Sequence, residues 1–316
     1  MFCSVVIPTI GRATLGRAVQ SVLAQDCGAA GFEVIVVNDS GRPLPEAAWQ
    51  HADCVRLITT NRRERSVARN TGAALAKGDY LCFLDDDDWL LPGALEAFRR
   101  LAQCAPQAAW LYGGMQIVGD NGQAMGEVNS GLNGNCLIQI LGGGWAPMQA
   151  SLIRSSVFFE TGGFDPSIRG TEDLDLCRRV ALRADFASTA ATVACLQRGT
   201  TWHTSTDYLR APADTRRSRD AVLNEPDAFQ RLRLSGRSAS RPAYWYGRLL
   251  RVYLSTVHMN LRQHRLFTAL SRAMFGALVC VWAGRRLFSR SFWDGVRAEH
   301  VPGTLHFIIQ AYERGR

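Results

Sequence analysis

The chain has 316 residues, 47% of them hydrophobic and 20% charged, with a mean hydropathy of -0.07. That balance excludes a disordered chain and a polytopic membrane protein. The net charge of +8 is uneven: residues 1–205 carry 17 Arg+Lys against 20 Asp+Glu, and residues 206–316 carry 19 against 8.

Ser4–Ile7 reads as a short β-branched strand stopped by Pro8. Thr14 to Gln25 has helical periodicity, and Phe32–Val37 is a continuous apolar run, as in a strand buried on both faces. Val55–Thr59 is a third strand. Ser66 to Ala76 is helical, capped at Ser66 or the residue before it and stopped by Gly78. Tyr80–Leu84 is a fourth strand, and four aspartates follow it. This β-α-β-β-α-β order predicts a doubly wound, mostly parallel α/β sheet. Ligands bind such sheets at the carboxyl ends of the strands, where Asp39 and the Asp85–Asp88 run both fall.

Pro92 to Ala105 is a predicted helix. Trp110–Val118 and Glu127-Val128 flank a hairpin turn at Gly119–Gly122. Gly142–Trp145 is a flexible stretch before Met148–Ile153. Asp173 to Arg183 is helical, and Val193–Leu196 is a further strand. Residues 210–240 have little periodicity and read as a linker or mobile lid. Pro242 to Gly284 reads as one or two long amphipathic helices. Leu266 to Phe288 comes closest to a membrane span, but it contains Arg272 and its uninterrupted part, Ala273 to Gly284, has 12 residues, short of the roughly 20 needed. Arginines mixed with bulky aromatics over 245–293 suit either a helix lying in an anionic membrane interface or a packed helical subdomain with snorkelling arginines.

Nine cysteines include no C-x-x-C pair, so neither a disulfide framework nor a zinc site is expected, and the compartment is expected to be reducing. Residues 1–8 lack the charged start of a signal peptide. A cytoplasmic location follows, with peripheral attachment to the inner face of the cell membrane as its extension.

The strongest chemical signal is Asp85-Asp86-Asp87-Asp88 at the end of a buried strand. Four adjacent carboxylates repel one another unless a cation or hydrogen bonds offset them. Mg2+ or Mn2+ suits such hard oxygen ligands. The alternative is an exposed acidic turn capping the helix after Pro92.

Four blocks, Val5-Val6-Ile7-Pro8-Thr9, Val34 to Ser40, Ala68-Arg69-Asn70-Thr71-Gly72 and Phe83 to Trp89, resemble in order and spacing the nucleotide-sugar-binding half of family 2 glycosyltransferases with the GT-A fold. Gly162-Gly163-Phe164-Asp165 and Thr171 to Arg179 resemble that family's acceptor-side segment. The resemblance covers residues 3 to about 205. It implies a GT-A catalytic domain over 1–205, with a nucleotide-binding half at 1–90 and an acceptor half at 91–205. A linker or lid follows at 206–241, then a basic amphipathic helical appendage at 242–316.

The resemblance also implies roles. Pro8, Thr9 and Arg12 would meet the nucleotide. Asp39 would accept from the imide N–H of a uracil or thymine base, unless it is an ordinary Asx-turn residue. Arg69 would offset diphosphate charge. Asp85 and Asp86 fall in the donor-sugar set and Asp87 in the metal site, with an Asp86/Asp88 register as the alternative. His203 would be a further metal ligand. Asp173 would be the base that deprotonates the acceptor hydroxyl, with Asp175 as the alternative and Glu172 beside it on the acceptor side. Trp145 would either stack on an acceptor sugar or pack in the core.

The implied activity is inverting, metal-dependent transfer from a UDP- or dTDP-sugar to a glycan or lipid-linked acceptor, in cell-surface glycan synthesis. Two alternatives stand beside it: a metal-dependent nucleotidyltransferase and an inactive membrane-bound scaffold of the same fold. No nucleic-acid partner is expected, because the basic region carries no recognised module.

Overall fold

The computed structural model describes residues 1–26, 31–61, 64–119, 121–198 and 211–298. The described chain falls into two compact units, one formed by 1–133 and 146–215, the other by 134–145 and 216 onwards.

The first unit is built on a nine-stranded mixed, mostly parallel sheet, as expected. Its elements are β1 (Cys3–Thr9), α1 (Leu15–Leu23), β2 (Phe32–Asn38), β3 (Val55–Thr59), α2 (Arg65–Leu75), β4 (Tyr80–Phe83), β5 (Trp89–Leu90), α3 (Ala94–Cys104), β6 (Ala108–Gly119) and β7 (Ala124–Val128). After the excursion to the second unit come β8 (Ser151–Arg154), α5 (Ser155–Glu160), α6 (Glu172–Arg183) and β9 (Asp185–Arg198), α4 (Leu137–Leu141) lying in the excursion itself. The sheet order is β3-β2-β1-β4-β8-β6-β9-β5, with β7 paired to β6. Strands β3, β2, β1 and β4 run parallel. β8 then joins β4 and β6 antiparallel.

Val5, Val6 and Ile7, Val34 to Val37 and Leu81 to Leu84 are all buried. Both sheet faces are covered there, which is why these strands read as unbroken apolar runs. α2 packs on β1 and β2 through Gly72, where a Cβ would stand 2.3 Å from Val6 Cγ1. Any larger residue would lift the helix and Arg69 with it.

Pro8 does not stop β1, which continues to Thr9. The Val6 carbonyl accepts from Leu84 N–H on the β4 side, and the Thr9 carbonyl accepts from Asp39 N–H on the β2 side. Backbone groups alternate sides along a strand, so the missing N–H of Pro8 falls on the β4 side. It lies beyond Phe83, the last β4 residue paired with β1, and no ladder hydrogen bond is lost.

In the second unit, residues read from sequence as a linker are largely helical: α7 (Ala211–Asn224) and α8 (Ala228–Ser238). Val222, Leu223 and Leu232 are buried, and that packing is what the weak periodicity concealed. α9 (Pro242–Arg262), α10 (Leu266–Ala283) and α11 (Arg290–Arg297) follow, so Pro242 to Gly284 is two helices. α9 and α11 meet at Gly295, where a Cβ would stand 2.1 Å from the Tyr244 carbonyl. The glycine-rich 142–145 stretch belongs to this unit: Arg248 Nε donates to the Gly142 carbonyl at 2.9 Å.

Candidate active site

The carboxyl ends of β1, β2, β3 and β4 bring Thr9, Asp39, Thr60 and Asp85 to one edge of the sheet, as the doubly wound order requires. The Asp39 carboxylate is buried. It accepts from Thr60 Oγ1 at 2.5 Å and from Glu64 N–H at 2.6 Å. It thereby fixes the turn that enters α2, whose cap is Glu64, with its carboxylate accepting from Ser66 and Val67 N–H. The cap is therefore the second residue before Ser66. A cavity of about 370 Å3 lies alongside, lined by Asn38, Gly41, Arg42, Pro43, Leu44, Leu57, Thr59 and Asn61.

The four aspartates separate into distinct environments. Asp86 is buried; it accepts from Thr9 Oγ1 at 2.5 Å and from Arg12 Nη1 at 2.5 Å. Asp85 accepts from Arg69 Nη2 at 2.6 Å and from Gln149 Nε2 at 3.1 Å. Arg12 also lies 3.3 Å from Asp87. The Asp87 carbonyl accepts from Arg17 Nη2 at 3.0 Å, and that guanidinium stacks over Trp89 at 3.9 Å. Asp88 Oδ1 accepts from Gln197 N–H at 3.0 Å, while its buried Oδ2 has no hydrogen-bond partner among the described residues.

The charges follow from these contacts. Burial opposes ionisation of Asp85, but Arg69, Arg65 and Gln149 outweigh it and hold its carboxyl below the usual range. Asp87 is pushed up to about 6, by burial first and then by Asp85, against the pull of Arg12. Burial, then Asp85 and Asp87, hold Asp88 well above the usual carboxylate range. The cost of ionisation is thus concentrated on Asp87 and Asp88.

Asp85, Asp87 and Asp88 each offer an oxygen, all within 4.8 Å of one another. An all-carboxylate donor set with one orphaned buried oxygen fits a hard divalent cation such as Mg2+ or Mn2+. Asp86 stands outside that set, committed to Thr9 and Arg12.

A second chain of contacts joins the remaining motifs. Asn70 clamps Phe164, its Nδ2 donating to the Phe164 carbonyl at 2.8 Å and its Oδ1 accepting the Phe164 N–H at 2.9 Å. The Phe164 ring meets Phe83 edge-on at 4.9 Å and lies 5.2 Å from the Arg69 guanidinium. Buried Arg69 then reaches Glu172 at 3.1 Å, and Arg65 reaches the same oxygen at 3.2 Å. Burial disfavours the Arg69 charge, yet Asp85 and Glu172 outweigh it and raise its pKa. Burial raises Glu172 despite both arginines.

Among the acids that open α6, Glu172 is thus held by arginines, and Asp175 accepts from Arg179 at 2.6 Å. Asp173 is half-buried and accepts from Leu174 N–H at 2.8 Å.

Thr9, Arg12, Asp85, Asp86 and Asp87 are therefore brought together, and Arg69 joins Asp85 to Glu172. Pro8 pairs with Val37 beside them. Trp145 is buried in the second unit, and His203 lies outside the described residues. Arg65 and Arg17 carry contacts that motif reading did not assign, and Asp88, named there only in the alternative register, joins Asp85 and Asp87. Arg65 opens α2 beside its cap, and its contact with Glu172 spans 107 residues, so neither it nor Arg17 left a sequence signal.

Residues 4–130 match the family model for glycosyl transferase family 2. Over this part, under half of its length, the chain is similar to family 2 glycosyltransferases. An uncharacterized glycosyltransferase of Haemophilus influenzae is 26% identical over 190 residues, 58% of this chain and 63% of its own length. The poly(ribitol-phosphate) β-N-acetylglucosaminyltransferase TarP of Staphylococcus aureus is 36% identical over 100 residues, 29% of this chain and 30% of that protein. The chain spans less than two thirds of these curated relatives. The crystal structure of S. aureus TarS 1–349 in complex with UDP-GlcNAc has a TM-score of 0.58 at 16% identity, covering 91% of this chain and 92% of that one. At that identity the likeness is one of fold, and the fold is the GT-A type that the motif order implied.

The raised acids of this site give a pH prediction. Asp87 binds a proton more tightly in the folded chain, at about 6, than at its ordinary 3.8. Without metal, this contribution to stability is present at low pH and is lost as pH rises through about 6. Metal binding requires the ionised carboxylate, so its pH dependence has the opposite sign. The Mn2+-dependent gain in melting temperature, measured against EDTA, is expected to grow from about pH 5 to about pH 7. A gain that is flat over that range would contradict the assignment.

Proposed function

We propose that the chain is an inverting, metal-dependent glycosyltransferase that moves a sugar from a UDP- or dTDP-sugar to a glycan or lipid-linked hydroxyl in cell-surface glycan synthesis. The observation that carries this reading is the set Asp85, Asp87 and Asp88 at the strand ends, with Asp85 paired to Arg69, burial resisting ionisation of the other two, and Arg12 beside Asp87. TarS, a fold relative, has been crystallised with UDP-GlcNAc, which supports a uridine nucleotide.

The roles follow from chemistry. Asp39 is a buried carboxylate at the carboxyl end of β2, and a carboxylate offers about four lone-pair sites. It accepts the imide N–H of the base, next to the cavity lined by Asn38 and Thr59. Asp85, Asp87 and Asp88 hold Mg2+ or Mn2+, which supplies Lewis-acid neutralisation of the departing diphosphate. Arg12 and Arg69 add charge-assisted hydrogen bonds to phosphate oxygens. Asp173 takes the proton of the acceptor hydroxyl. Glu172 and Asp175 are tied to arginines, which leaves Asp173 for that task.

Release of nucleoside diphosphate from UDP-, dTDP-, GDP- and CDP-sugars in Mn2+ tests the reading. Turnover of the UDP- or dTDP-sugars is expected. Turnover of GDP-sugars alone would overturn the role of Asp39.

A further inference from the structure

α10 is built inside out. Its one charge, Arg272, is on the buried face, with Nε 3.1 Å from Asp220 and Nη2 2.7 Å from Asn224. Its exposed face is apolar: Leu266, Phe267, Leu270, Met274, Leu278 and Val281 are 39% to 92% exposed. Their spacing of three and four residues forms a single stripe. Soluble proteins seldom leave so continuous an apolar strip in water.

The stripe has a charged frame. Arg262 and Arg265 are exposed at its start, and Arg285, Arg286 and Arg290 at its end. Residues 228–293 contain 12 arginines and no Asp or Glu. Phe288 is 90% exposed and Trp293 45% exposed, side chains suited to a headgroup boundary. Leu266–Phe288 has the length and a mean hydropathy of 1.6 consistent with crossing a bilayer, further than the 12-residue run suggested. The ion pair of Arg272, however, binds one face of the helix to protein. A helix with one apolar face, one packed face and cations at both ends matches a surface-lying geometry.

We propose that α10 docks on an anionic lipid surface, with its apolar stripe at the acyl boundary and the arginines at its two ends on headgroup phosphates. The charge frame selects this occupant: a second copy of the chain would bring the same cations against one another.

The test is flotation of the full chain with phosphatidylglycerol-containing vesicles and with phosphatidylcholine vesicles. Binding to the anionic vesicles that weakens with salt is expected. The substitutions Phe267→Ser, Leu270→Ser and Met274→Ser together should lower partitioning by on the order of 100-fold with an unchanged melting temperature, because all three side chains are exposed. Arg285→Gln with Arg286→Gln should lower it by roughly 20-fold and leave the core untouched. The proposal is overturned if the wild type stays unfloated or if the triple variant floats like it. Dimerisation that the triple variant abolishes, or resistance to alkaline carbonate extraction, would also overturn it.

Discussion

Asp87→Ala is expected to abolish metal-dependent donor binding and to lower kcat/KM by about 10²–10⁴-fold, corresponding to the several kcal/mol that a Lewis acid supplies at a leaving diphosphate. The expectation rests on how the four aspartates divide. Arg12 is engaged by Asp86 and Arg69 by Asp85, so Asp87 and Asp88 keep their mutual repulsion. Removing Asp87 deletes a group whose ionisation the folded state resists. The variant should therefore hold or raise its melting temperature in EDTA while losing the Mn2+-dependent gain. Asp86→Ala provides the contrast. It strips Thr9 Oγ1 and Arg12 of their shared partner and should lower the melting temperature in EDTA as well. Scanning fluorimetry of both variants separates the metal ligand from the structural acid. An Asp87→Ala protein with an intact Mn2+ response would reverse their roles.

Asp173→Asn is expected to bind donor normally and to lose about 10²–10⁴-fold in kcat, the contribution of a general base. The amide keeps the shape of the side chain and the hydrogen bond from Leu174 N–H, but it cannot accept a proton. Glu172→Gln should behave differently. It weakens the buried contacts of Arg69 and Arg65, so stability falls with activity. Single-turnover kinetics at saturating donor distinguish the two variants. Full activity in Asp173→Asn would transfer the base role elsewhere.

Much of this fold was legible because buried parallel strands carry an unmistakable pattern. Val55–Thr59 was delimited residue for residue, and Phe32–Val37 and Tyr80–Leu84 came within one residue. The candidate site was legible in outline, since motif order places Thr9, Asp39 and Asp85 at strand ends. What stayed hidden depends on tertiary contact. The Asp85–Asp88 run cannot reveal from its own sequence that Asp86 points to Thr9, because that bond spans 77 residues. The burial of Arg69 depends on Phe164 and Glu172, far along the chain. The 211–238 helices were missed because arginine and alanine favour helix without periodicity, and packing alone decides which face is buried. The exposed apolar face of α10 was equally hidden, since composition does not say which side of a helix is covered.

The central claim, that the aspartate cluster and the Asp39 turn together bind a uridine nucleotide through a metal, is tested most directly by calorimetric titration of the full chain with UDP in Mn2+ and in EDTA. UDP is expected to bind in Mn2+ and at least about 10-fold more weakly in EDTA, and GDP to bind more weakly than UDP under both conditions. Equal UDP affinity with and without metal, or a preference for GDP, would contradict it.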